Sequence, residues 1–338
     1  MPGGYPKMVE ATVQISERLP VVQPAGSILA VALSSSFNRD GYCFAAGTSG
    51  LYQSNDHGQT WAMAILSAEP VSILSVAASP DFTHDGQVFA GMAGGVLRSW
   101  NRGQTWVSTT VGAPPATITC LAISPDFNAD SLAFAGTDED GVFRSTDRGA
   151  TWQPWNFGLL DRRVLCLGVS PAFGTDETVF VGVSTGLFYS RNGGRAWRET
   201  AFPPEAAPVL CLALSPDFER DGIVLAGTES AGLFISTDRG RHWSAAGDHQ
   251  TRGLINAIVL EADFSARPHM LLATPAGLLL SRDGGQSWTV SAELKDVLAL
   301  AVEPGLLGAG GRLLAGLSSG GVCWLDPLGK KNRYAIRH

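Results

Sequence analysis

Carboxylates come closest to a catalytic set in this 338-residue chain. A two-carboxylate glycosidase needs an acid and a nucleophile or base roughly 5–9.5 Å apart. Asp138, Asp140, Asp161, Glu205 and Glu229 are available for those roles, but no spacing marks two of them as a pair. Asp126 with Asp130, and Asp217 with Asp221, could hold calcium or cap a turn; these loops lack the ligand density of a strong calcium site, so turn capping is expected. G-x-S-x-G and H-E-x-x-H are absent, and the six histidines are scattered, with His57 and His242 at variable positions of a repeated octapeptide. The five cysteines form no C-x-x-C; Cys120, Cys166 and Cys211 recur inside apolar runs and read as buried reduced thiols. No catalytic residue, metal or cofactor is expected from this set.

Residues suited to binding are better clustered. Residues 153–163, QPWNFGLLDRR, bring Trp155 and Phe157 together with Asp161, Arg162 and Arg163. Aromatics beside arginines are the composition of interface hot spots. Asp138, Glu139 and Asp140 make one short turn acidic, and Glu229 does the same for another, where the equivalent turns are bland. Two structural roles compete with partner contact: Trp155 packing on its own unit, and Arg162 or Arg163 pairing with the 138–140 turn.

The elements that position these residues follow from a repeat of about 45 residues. Trp61, Trp106, Trp152, Trp197, Trp243 and Trp288 are 45, 46, 45, 46 and 45 residues apart. Each ends a near-copy of one octapeptide, from SNDHGQTW at 54–61 to SRDGGQSW at 281–288. Phe37, Phe82, Phe127, Phe173, Phe218 and Phe264 keep the same beat, mostly in an S-P-D-F-x-x-D-G context. Between these landmarks lie apolar runs separated by glycine turns. Seven such runs open the units: Ile28–Leu33, Ile73–Ala78, Ile118–Ile123, Val164–Val169, Val209–Leu214, 254–260 and Val297–Val302. Four short strands per unit fill the repeat and leave no room for helices.

A four-stranded unit with two apolar faces must be covered on both sides, and radial stacking into a ring does that for every unit. The expectation is an all-β, seven-bladed propeller of four-stranded antiparallel blades. Small residues alternate along the first strands, as at Ala30 and Ala32 or Cys120 and Ala122, where blades converge on the axis. Asn256 and Ile258 depart from that pattern. The seventh unit loses the octapeptide, so its fourth strand must come from elsewhere. Residues 11–16 (ATVQIS) are the preferred source, latching the ring, and 333–336 are the rival. The domain reading is a segment 1–27 that carries the closing strand, a propeller over 28–328, and a basic tail over 329–338.

The octapeptide S-x-D-x-G-x-T-W resembles the Asp-box, or BNR, repeat. Its third position is Asp56, Asn101, Asp147, Asn192, Asp238 and Asp283 in turn. Asparagine at two of the six keeps the turn chemistry without the charge, which favours a structural role over catalysis or calcium. Over nearly the whole chain the sequence is similar to the Asp-box propellers of the Ycf48-like photosystem II assembly factors and the sortilin-type superfamily. The resemblance implies the propeller fold. It also implies that the S-P-D-F loops and Asp-boxes share one face, leaving variable residues to the opposite face, where the channel opens. It does not select a function, since sialidases, xyloglucan-degrading glycosidases, sorting receptors and assembly factors all carry Asp-boxes. A sialidase would need an R-I-P motif, which is absent, and a tyrosine nucleophile, whereas Tyr42, Tyr52 and Tyr189 fall inside predicted strands. The xyloglucan enzymes use two propellers flanking a cleft, and this chain supplies one.

Bulk properties exclude further classes. A net charge of −7 and a pI near 5.4 oppose nucleic-acid binding. No stretch approaches the roughly 18 apolar residues that span a bilayer. Residues 1–11 show neither a secretory h-region nor a lipid-attachment cysteine, giving the expectation of a cytoplasmic protein without a photosynthetic role. The expected function is a non-catalytic protein-interaction or assembly platform using one variable propeller face, with another protein as partner. The alternative is a glycoside hydrolase or glycan-binding protein with its site at the channel mouth.

Overall fold

A computed structural model of the chain describes residues 12–14, 21–64, 66, 71–303 and 311–325. They form seven antiparallel sheets arranged as the blades of a ring. Within a blade the strands run a to d outward from the axis, in chain order. Blade three is representative, with a at Ile118–Ile123, b at Ala133–Thr137, c at Val142–Ser145 and d at Gln153–Pro154. The chain is a seven-bladed β-propeller.

Each a strand is preceded or opened by a fully buried β-branched residue (Ile28, Ile73, Ile118, Val164, Val209, Ile255, Val297), and in six blades a register shift follows it. The shift frees that residue's carbonyl from the ladder. In successive blades the preceding blade's side chain captures it: Thr119 Oγ1 donates to Val164 O at 2.7 Å, and the Cys166 and Cys211 thiols donate to Val209 O and Ile255 O. Asn256 Nδ2 makes the equivalent bond to Val297 O at 2.8 Å. This explains the apparent departure of blade six. Its a strand is Ala257–Leu260, and Ala257 and Val259, not Asn256 and Ile258, occupy the positions held elsewhere by Cys211 and Ala213.

The a–b loops are not purely irregular. In blades one to five each holds a single helical turn, beginning at Phe37, Phe82, Phe127, Phe173 and Phe218, with the phenylalanine buried. The sequence leaves room for one turn because the loop is tied across its base: Ser34 Oγ donates to Asp40 Oδ2 at 2.6 Å, and the Tyr42 N–H donates to the other carboxylate oxygen.

The N-terminal strand differs from expectation. Thr12–Gln14 run antiparallel to Thr105–Val107 of blade two, and Val21–Val22 pair with Trp61–Ala62 of blade one. The six-residue d strand of blade two is the longest among the described outer strands, so it offers the longest open edge of N–H and C=O groups. Blade seven has three strands among the described residues; its rival closing segment, 333–336, and the basic tail lie outside them. Among the described residues, blades one and seven meet by face packing. Ser27 Oγ donates to Ser318 O at 2.7 Å, and Phe37 stacks on Trp324 with ring centroids 5.3 Å apart.

Candidate partner-binding surface

The face carrying the octapeptides is built as a self-satisfied surface. In the first repeat Ser54 Oγ donates to Asp56 Oδ1 at 2.7 Å and accepts from the Gly58 N–H at 2.9 Å. Asp56 also accepts from the Gln59 and Thr60 N–H groups and the Thr60 hydroxyl. The set recurs at Asp147, Asp238 and Asp283. Asn101 and Asn192 accept the same seryl hydroxyl and backbone donors without a charge. Partial burial works against the charge of Asp56, Asp147 and Asp238, but these donors outweigh it and hold all three below the ordinary carboxylate range. At Asp283 the Ser287 hydroxyl leads, and the carboxyl falls to about 2.

The residue before the invariant glycine is left-handed in all six repeats, with φ from 57° to 74°. Its N–H reaches the end of the a–b loop of its own blade, as from His57 to Gly41 O and from Arg148 to Ser131 O. Both landmark motifs therefore occupy one face, as expected. Five of the six closing tryptophans (Trp61, Trp106, Trp152, Trp197, Trp288) are buried and Trp243 is half-buried. The carboxylates of Asp130 and Asp221 serve as loop ties, from Ser124 and Ser215, at 2.5 Å in each case.

The central cavity, about 340 Å³, is walled by a strands. Its lining is aliphatic, apart from Asn256 and the thiols of Cys120, Cys166 and Cys211. None of the five cysteines is in a disulfide. Cys166 is buried as expected, whereas Cys120 and Cys211 are only half-buried against the cavity; desolvation pushes Cys120 and Cys211 up to about 12 and Cys166 well above its ordinary value. Among the described residues no carboxylate lines this cavity.

The connection from blade three to blade four is different in kind. Trp155 is half-buried: its ring lies 4.9 Å from the Arg144 guanidinium, and its carbonyl accepts from Trp197 Nε1 at 2.7 Å. Burial lowers the pKa of Arg144, with Arg195 adding to the effect, and the Trp155 face partly replaces its lost water. Asn156 caps the acidic turn, accepting from the Val142 N–H at 2.7 Å and donating to Asp140 O at 2.8 Å. Its own carbonyl accepts from the Leu159 N–H, closing a turn around Gly158, whose φ is 82°. A side chain at Gly158 would collide with Trp197 O. Leu159 is buried beneath. Asp161 accepts from Ser184 Oγ at 2.6 Å and from the Thr185 N–H at 2.9 Å, tying the segment to blade four. Partial burial opposes the charge on Asp161, but the donors from Ser184, Arg163 and Thr185 prevail and lower its pKa.

On this fixed backbone Phe157 is 80% exposed and Leu160 82% exposed. Arg163 Nε pairs with Asp138 Oδ1 at 3.1 Å, joining the connection to the acidic turn. Arg162 is exposed, and its guanidinium makes no hydrogen bond or ion pair with any described residue. Glu139 is exposed and Asp140 half-buried. The structure thus brings Trp155, Phe157, Arg162, Arg163, Asp138, Glu139 and Asp140 to one junction. Glu229 is exposed on the equivalent turn of blade five, away from that junction. Sequence reasoning passed over Leu160; the signal was the adjacent pair Leu159-Leu160, of which an extended chain can bury only one.

No protein-family model matches the chain, and no curated protein matches it. Solved structures do. The chain is similar to the GH74 xyloglucanase from Xanthomonas campestris at 19% identity and a TM-score of 0.67, over 95% of this chain and 54% of that one. An ancestral GH74 enzyme matches at 18% identity and 0.69, over 88% and 44%. YCF48 bound to a D1 peptide matches at 16% identity and 0.64, over 94% and 96%. The chain spans about half the length of the GH74 structures and nearly the full length of YCF48. Likeness at these identities is likeness of fold: the chain shares the β-propeller architecture of both groups.

Proposed function

We propose that this propeller is a non-catalytic protein-interaction or assembly platform whose contact surface is the blade three–four junction. One observation carries the reading: Phe157 and Leu160 stand about 80% exposed on a backbone held from beneath by Trp155, Asn156, Leu159 and Asp161. Exposed apolar side chains on a loose loop lose ordering entropy on binding; here the backbone is already ordered, so more of their burial becomes affinity. The YCF48 likeness supports a protein segment as the kind of partner, because that propeller was solved with a bound peptide. The aliphatic and thiol lining of the central cavity weighs against the glycosidase alternative.

The test is a crosslinked pull-down from the native host with wild type and a Phe157→Ser/Leu160→Ser variant. The expected result is a near-stoichiometric partner captured by wild type and lost by the variant, with identical melting curves. Equal capture by both proteins would reject this surface. Polysaccharide hydrolysis by the purified protein would reject the non-catalytic reading.

A further inference from the structure

Resting on that reading, we infer that the partner is a protein segment presenting apolar side chains beside a single carboxylate, which pairs with Arg162. The argument begins with the charges of the junction. Asp161 is engaged by Ser184 and Thr185, and Arg163 by Asp138. Arg162, between them in sequence and two residues past Leu160, is the cation left over.

A partner that covers Phe157 and Leu160 also takes water from Arg162. A guanidinium stripped of water without a counter-charge is strongly unfavourable, so a productive partner must bring an acceptor. A carboxylate suits the planar fork of arginine best. The neighbouring turn limits how many. Glu139 and Asp140 face the same junction, with Asp138 neutralised by Arg163. A run of acidic residues would meet them and be repelled, whereas a single carboxylate placed against Arg162 escapes most of that penalty. Selection against polyacidic segments is thus built into the surface.

An array of immobilised 12-residue peptides with Leu/Phe anchors tests this directly. The flanks carry one Glu, four Glu, one Lys, or no charge. The one-Glu peptides should bind wild type best, by about tenfold over uncharged ones. Arg162→Glu should lose that advantage and favour the one-Lys set, and Phe157→Ser/Leu160→Ser should bind none. If binding depends on Phe157 and Leu160 but is indifferent to flank charge and to Arg162→Glu, the partner chemistry is wrong and the platform reading stands. If wild type retains no peptide above the Phe157→Ser/Leu160→Ser variant, both fall.

Discussion

Ile28 of blade one lies against Gly316 of blade seven so closely that a Cβ on the glycine would come within 2.6 Å of Ile28 Cγ2. The same knob recurs around the ring: Ile118 on Gly91, Val164 on Gly136, Val209 on Gly182 and Ile255 on Gly227. The first and last blades therefore meet through the interface that joins the others. Overpacking a tight core contact costs about 1–3 kcal/mol. Gly316→Ala and Gly136→Ala should each lower unfolding stability by that amount in chemical denaturation. A Gly316→Ala protein as stable as wild type, beside a weakened Gly136→Ala, would mean that the ring is not sealed there.

Blade six breaks the loop tie of the first five. Glu261 and Arg267 stand where Ser215 and Asp221 stand in blade five. Glu261 is 1% exposed, and neither carboxylate oxygen has a hydrogen-bond partner among the described residues; His269 Nδ1 is 3.8 Å away. A buried acceptor without a donor costs about 1–3 kcal/mol. Glu261→Ser combined with Arg267→Asp rebuilds the tie and should raise the melting temperature. Arg267→Asp alone gives up the ion pair with Asp263, so a double variant that melts below that single variant would show that Glu261 has a partner of its own.

The octapeptide carboxylates make stability depend on pH. Because Asp283 is held at about 2 against an ordinary 3.8, its contribution is complete above the unfolded value and is lost as pH falls through the folded one. Asp56, Asp147 and Asp238 shift in the same direction. Asp283→Asn should fold normally at neutral pH, as Asn101 and Asn192 do in their repeats, and should show a shallower loss of stability below pH 4. An unchanged acid profile would remove Asp283 from the account.

The channel thiols should be unreactive. With their pKa values pushed far up by burial, Cys120, Cys166 and Cys211 hold almost no thiolate at pH 8. Ellman's reagent should label them only after denaturation, when the count reaches five. Rapid native labelling of any of the three would contradict the packing described.

Much of this was legible in the sequence because the repeat reports its own geometry. The tryptophan spacing, the turn glycines and the S-P-D-F loops locate blades, c–d turns and the structural face. Three features were not legible. Unit six opens on Ile255, one residue later than the 254–260 run implies, so Asn256 falls one place before the position that Cys211 holds in blade five. The strand at residues 12–14 has no repeat partner to indicate which edge it joins; it lies on blade two, whose outer strand is the longest among those described. The junction was legible in composition, but which of its side chains were free was not. Trp155 and Arg163 found side-chain partners within the fold, whereas the side chains of Phe157, Leu160 and Arg162 stand exposed without one among the described residues.

A photo-crosslinking amino acid placed at Phe157, compared with one at Val290, tests the central claim most directly. Val290 is another large apolar residue, 55% exposed, on the outer strand of blade six. The platform account predicts a single dominant protein adduct from position 157 in the native host and none from 290. Equal adducts from both positions, or none from 157 alongside hydrolysis of a glycan by the purified chain, would contradict it.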